Sequence, residues 1–250
     1  MKLTDTIQTN LLPQNKITYS AILPSNCEKV LFWLHGYQER AEQLLQHEAF
    51  ATLAEQHQTA ILFPDVPDTY YLNQPWNHCY TEDFLISEFI PSVTEKYHLP
   101  NKKEQTFLAG ISMGGFGSLL LGSHYPEHFH KIACISGAFI LEDLLIGNPE
   151  VTGAASNITH FQDLFGDIPS LAEDPARNPG LAAMHALSSH LLPPVYLTCG
   201  TEDLLYPRNK KLRQQLQLAG ANIVWSDARG NHDWNFFAPA IAQVIHWFAD

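Results

Sequence analysis

The chain has 250 residues, 45% apolar and only 16% charged, with 26 acidic against 14 basic side chains for a formal charge of −12. That length suits one domain with a large buried core, and the composition excludes a disordered chain. The acidic balance opposes attraction to phosphate backbones or anionic lipid, which argues against nucleic acid as a partner; no run of about 18 apolar residues is present to cross a membrane.

Short β-rich apolar runs alternate with longer stretches of helical period, the sequence form of a mostly parallel sheet crossed by helices. Two weaker β runs, around Ile7 and over Ile17–Ala21, suggest an antiparallel start. Core strands are expected at Lys29–Leu34, Ala60–Phe63, Thr106–Ala109, Lys131–Ile135, Val195–Cys199 and Asn222–Trp225. The intervening helices are expected at Ala41–Gln56, Asp83–Tyr97, Phe116–His124, Pro207–Ala219 and Phe236–Ala249, where apolar residues recur at mixed three and four spacings. Residues 141–192 break the alternation with repeated Gly and Pro, and read as a lid or cap inserted within a single 1–250 domain.

Cys27, Cys79, Cys134 and Cys199 are far apart and form no CxxC pair, so packed thiols in a reducing cytoplasm are the simpler expectation than a zinc or redox site. Met1–Lys16 lacks the apolar stretch of a signal peptide.

The strongest chemical signal is Gly110-Ile111-Ser112-Met113-Gly114, directly after a strand and directly before a helical stretch. A strand turning sharply into a helix pushes the central hydroxyl out at the carboxyl edge of the sheet, and the flanking glycines leave room for the turn. The same turn aims the Met113 amide, at a helix N-terminus, toward the place where an attacked carbonyl becomes negative. His35-Gly36-Tyr37 follows the first core strand, so the Tyr37 amide is the second candidate for that oxyanion hole. The bland alternative is a tight turn whose serine merely caps the helix.

A serine nucleophile needs a base and an acid further along. Gly200-Thr201-Glu202-Asp203 follows one late strand and Gly230-Asn231-His232-Asp233 follows the next, giving the order Ser112, Asp203, His232. Glu202 competes with Asp203 but is expected to face solvent, and Asp233 reads as a cap for the last helix. Other histidines, among them His47, His57, His124, His128 and His130, are expected to be solvated, and their spacing does not suit zinc. Trp76, Tyr80 and Trp234, on expected loops near strand ends, either wall a substrate pocket or simply pack.

These residues resemble the esterase D-like branch of the α/β-hydrolases, and within it the bacterial tributyrin- and acetyl-esterase group. The similar stretches are LHGYQERAEQLL at 34–45, FLISEFIPSVTEKY at 84–97, FLAGISMGGFGSLLLGSHYPEHF at 107–129, CGTEDLLYPRNKKLRQQLQLAGAN at 199–222 and GNHDWNFF at 230–237. The resemblance implies an α/β-hydrolase fold and a cofactor-free serine carboxylesterase that hydrolyses acetyl to short-chain esters through Ser112, Asp203 and His232. A thioesterase of the S-formylglutathione hydrolase type, a carbohydrate acetyl or feruloyl esterase, and a hydrolase-like binding protein without catalysis are the alternatives. The expected partner is a small-molecule ester; assembly into a homo-oligomer stays open.

Overall fold

The computed structural model describes residues 1–148 and 158–249. An edge hairpin opens the chain, β1 (Lys2–Gln8) pairing antiparallel with β2 (Lys16–Ile22). Next come β3 (Lys29–Leu34), α1 (Ala41–Gln46), α2 (Glu48–Gln56) and β4 (Thr59–Pro64). A small hairpin of β5 (Asn73–Gln74) and β6 (Cys79–Tyr80) leads into α3 (Thr81–Asp83), a π-helical stretch Phe84–Phe89 and α4 (Ile90–Tyr97). Then follow β7 (Thr106–Ile111), α5 (Met113–His124), β8 (Lys131–Ile135), α6 (Leu141–Leu145), α7 (Ile158–Phe165) and α8 (Pro179–Ser188). The chain closes with β9 (Val195–Gly200), α9 (Tyr206–Leu218), β10 (Ile223–Ala228) and α10 (Trp234–Ala249).

The main sheet has the order β1-β2-β4-β3-β7-β8-β9-β10, parallel from β4 onward and antiparallel at the hairpin edge. Strands β4, β7 and β9 are buried at every residue, as near-continuous apolar runs covered on both faces should be. One face packs under α1, α2 and α10 around Trp33, Phe50, Phe63 and Phe248; the other packs under α5, α8 and the α3–α4 segment around Phe32, Phe89, Phe116 and Phe129. The result is a three-layer α/β arrangement.

The expected strands and the antiparallel start are all present, with β10 extending three residues past Trp225. Two expected helices differ. Residues 41–56 form α1 and α2, broken at His47, which is extended (φ −72°, ψ 114°) and stacks its ring on Trp234 at 3.5 Å. Residues 83–97 pass through the π-helical stretch just before Pro91, where a wider turn accommodates a residue that cannot donate and whose ring crowds the preceding carbonyl. Part of the expected 141–192 insertion, residues 149–157, lies outside the described residues. Its last portion, α8, serves as the helix between β8 and β9 and buries Pro179, Ala182, Ala183 and Ala186, so the interruption of the pattern ends before Pro179. Among the described residues no helix is long and apolar enough to cross a membrane.

His124, at the end of α5, is not the solvated imidazole expected. Its Nδ1 meets Glu82 Oε1 at 2.8 Å and its Nε2 meets the Pro175 carbonyl at 3.0 Å. Both partners are acceptors, so only the imidazolium satisfies both at once. Burial alone would lower the His124 pKa, but the Glu82 carboxylate and the Pro175 carbonyl outweigh it and the net shift is upward from 6.5. A raised folded-state pKa contributes stability that is full below the unfolded value of 6.5 and is lost as pH rises through the folded value. Thermal melts from pH 6 upward are therefore expected to show a fall in Tm above about 6.5 that the His124→Gln variant lacks; parallel pH curves would refute the clamp.

Candidate active site

Ser112 is the single residue between β7 and α5, with φ 56° and ψ −115°, a backbone conformation that L-residues avoid. Its amide donates to the Ile135 carbonyl at 2.9 Å, and its own carbonyl accepts from Phe116 at 3.0 Å and Ala138 at 2.9 Å. The end of β8 and the chain after it therefore form a ledge beneath the turn. The Ser112 side chain makes no capping bond to α5, which removes the helix-cap alternative. The glycines are steric requirements: a Cβ on Gly110 would lie 2.4 Å from the Gly114 carbonyl, and one on Gly114 would lie 2.0 Å from the Leu34 oxygen.

Because α5 starts against the end of β3, the segment 35–38 is its neighbour. That segment is tightly held. The Gly36 amide donates to Glu39 Oε2 at 2.8 Å, the Gln38 amide to Asp68 Oδ1 at 2.9 Å, and the His35 ring nitrogens meet the Gly36 and Val66 carbonyls. Between those two engaged amides, the Tyr37 N–H donates to no protein acceptor among the described residues. The Met113 N–H, at the N-terminus of α5, is likewise without one. The Tyr37 hydroxyl meets His160 Nε2 on α7 at 3.2 Å, bringing α7 against this segment.

Asp203 sits on the turn after β9 and is 4% exposed. Its Oδ1 accepts from the Leu205 amide at 2.8 Å and its Oδ2 meets His232 Nδ1 at 2.7 Å. The turns after β9 and β10 touch directly, since a Cβ on Gly200 would lie 2.3 Å from the Gly230 oxygen. Burial works to raise the Asp203 pKa, but the hydrogen bond and charge of His232, the Leu205 amide and the Ser136 hydroxyl together bring it below the usual 3.8. An ionised carboxylate at Nδ1 makes that nitrogen the donor, which leaves Nε2 of a neutral His232 with its lone pair. The imidazole packs edge-on against Phe237 at 5.1 Å.

Ser112, Asp203 and His232 thus follow β7, β9 and β10, and the strand between, β8, is followed by Ser136. All four turns lie at the carboxyl edge of neighbouring parallel strands. Glu202 points elsewhere, pairing with Arg229 at 2.8 Å on the surface, and Asp233 caps α10 through the Asn235 amide.

The three aromatic candidates are dispersed. Trp76 donates to the Asp163 carbonyl at 2.9 Å and lines a groove of about 760 Å³ with His124, Tyr125 and Arg177. That groove lies at the far end of α5, roughly 18 Å of helix away from Ser112. Tyr80 lies in β6, its amide bonded to the Leu11 carbonyl. Trp234 stacks on His47, and only it shares a neighbour, Phe237, with His232. Sequence reasoning overlooked Glu39, Asp68, Ser136 and His160; only Glu39, three residues after Gly36, carried a legible signal, that of a side chain reaching back to an amide. Among the described residues no group of three or more His, Cys, Asp or Glu side chains is placed to hold a metal ion.

The sheet order, the strained serine turn and the acid-to-histidine contact define an α/β-hydrolase. A family model described as "Putative esterase" matches residues 10–248, and the chain belongs to that family. It is 28% identical over 221 residues, 88% of this chain and 83% of the other, to an acetyl esterase of Caldicellulosiruptor saccharolyticus. Its fold is similar to that of FphF, a fluorophosphonate-binding serine hydrolase of Staphylococcus aureus (TM-score 0.88, 21% identity, 100% of this chain and 98% of that one). It is similar also to S-formylglutathione hydrolase FrmB of the same organism (TM-score 0.86, 22% identity, 100% and 99%).

Gly114→Ala drives a methyl into a strand carbonyl rather than into a movable side chain, so it is expected to cost on the order of 3 kcal/mol or more, or to prevent folding. Denaturant unfolding checks this; a variant of unchanged midpoint would show that the turn is looser than described.

Proposed function

We propose that this esterase hydrolyses small acyl esters, acetyl esters first among them, by a two-step transfer through Ser112. One observation carries the reading: a buried carboxylate 2.7 Å from His232 Nδ1, on the same sheet edge as a serine held in a strained turn. The similarity to an acetyl esterase supports the acyl group.

In the first step His232 Nε2 takes the Ser112 proton as Oγ bonds to the ester carbonyl carbon. The carbonyl oxygen becomes an oxyanion, held by the Tyr37 and Met113 amides, whose lack of protein acceptors supports that role. Collapse breaks the carbon–oxygen bond to the alcohol, which leaves with the proton from His232. In the second step water gives its proton to His232 and its oxygen to the acyl carbon, and Ser112 recovers its proton as the acid departs. Asp203 keeps the imidazole in the required tautomer and stabilises it when charged.

Helix α7 is assigned to the roof over the acyl group, on the strength of the Tyr37–His160 contact. Trp234, beside Phe237, is the aromatic candidate best supported as part of that site; the partners of Trp76 and Tyr80 favour packing roles. Four free thiols support a reducing, cytoplasmic setting.

Ser112→Ala is expected to abolish turnover of a chromogenic acetyl ester and labelling by a fluorophosphonate while leaving the melting transition in place. Asp203→Asn should keep the fold and reduce kcat on the order of a thousandfold to ten-thousandfold, because the wrong tautomer then faces the serine. Undiminished hydrolysis in the alanine variant would remove the nucleophile assignment.

A further inference from the structure

We infer that Asn209, which takes no part in the steps above, is a positioning residue that ties the nucleophile turn to the acid turn; the inference rests on the triad reading. Asn209 lies in the first turn of α9 and is fully buried. Its Oδ1 accepts from the Gly137 amide at 3.1 Å, while its Nδ2 donates to the Gly137 carbonyl at 2.9 Å and to the Leu205 carbonyl at 3.0 Å. Both amide hydrogens and the oxygen are engaged, so the plane of the side chain is fixed.

Each partner leads to the chemistry in one step. Gly137 sits between Ser136, whose hydroxyl helps lower the Asp203 pKa, and Ala138, whose amide donates to the Ser112 carbonyl at 2.9 Å. Gly137 also abuts the start of α5, since a Cβ on Gly115 would lie 2.9 Å from its Cα. On the other side, Leu205 donates its amide to Asp203 Oδ1 at 2.8 Å. A single buried amide group therefore grips the ledge under Ser112 with one edge and the turn holding Asp203 with the other.

The chemistry demands an amide. Gly137 presents an N–H and a C=O side by side, which needs an acceptor and a donor in one plane, and Leu205 needs a second donor. Leucine supplies neither and strands the buried Gly137 N–H. An ionised aspartate can accept but not donate, whereas a protonated one offers one donor and one acceptor to Gly137. Burial among carbonyls would raise the pKa of such a carboxyl.

The experiment compares wild type, Asn209→Leu and Asn209→Asp by steady-state kinetics on a chromogenic acetyl ester, with active sites counted by fluorophosphonate titration and folding followed by thermal melts. In Asn209→Leu, kcat per active site is expected to fall on the order of tenfold to a hundredfold with KM changed by less than about twofold, and the fluorophosphonate labelling rate to fall in parallel. In Asn209→Asp, kcat should decline as pH rises along a limb that wild type and Asn209→Leu lack, as the introduced carboxyl ionises. A residue that only stabilised the fold would lower Tm and leave kcat per titrated site unchanged. Should the leucine variant not fold, Asn209→Ser, which keeps one donor and one acceptor, takes its place with a smaller fall in kcat expected. Retention of wild-type kcat per site in the folded variants, or a loss confined to KM, overturns the inference. Ser112→Ala separates the two readings: activity in that variant removes the triad, whereas inactivity there beside fully active Asn209 variants removes only the positioning role.

Discussion

A serine holds φ 56° and ψ −115° only where its surroundings leave it no other course, and the layout of the site follows from the packing that enforces it. The first turn of α5 lies directly on the end of β3, close enough that Gly114 can carry no side chain. That approach makes the segment after β3 a neighbour of the serine turn. It sets the chain after Leu34 beside the start of α5, the two segments from which the proposed oxyanion hole draws its amides, although 76 positions separate Tyr37 from Met113 in sequence. The strain at Ser112 is the local cost of that close approach.

The electrostatics are arranged asymmetrically around that place. Asp203 is buried and would be driven toward neutrality by desolvation, yet specific donors keep its charge, while His232 remains 37% exposed at the side chain. A fixed, desolvated carboxylate thus holds a more accessible imidazole, an arrangement suited to the base role proposed for His232. The adjacent Glu202, with its surface partner Arg229, shows how little sequence distance matters: one residue along the same turn, burial and role both change.

The sheet and the serine turn were legible because each leaves a periodic or compositional mark. Strands such as Lys29–Leu34 are short apolar runs with polar ends, and GISMG sits at a strand-to-helix junction whose geometry admits little else at its glycines. Motif order admits either Glu202 or Asp203; the preference for Asp203 rests on Glu202 facing solvent, where it pairs with Arg229. What escaped were relations made by tertiary contact: the stacking of His47 on Trp234, the His124–Glu82 pair, and the support of Asp203 by Ser136. The partners of His47 and His124 arrive from elements more than 40 positions away, and no local pattern announces them. For Trp76, on an expected loop near the strand ends, the sequence left substrate contact and packing both open, and its bond to the Asp163 carbonyl is another relation made by tertiary contact.

The position of β10 at the margin of the sheet has its own consequence. It is bonded on one side only, to β9, and its residues are half-buried to exposed, whereas β7 is enclosed throughout. The histidine therefore follows an edge strand and the serine a central, fully buried one. With His232 as the proposed base, breathing of that border would detach the imidazole before the central layers came apart, so that loss of activity on heating would run ahead of global melting.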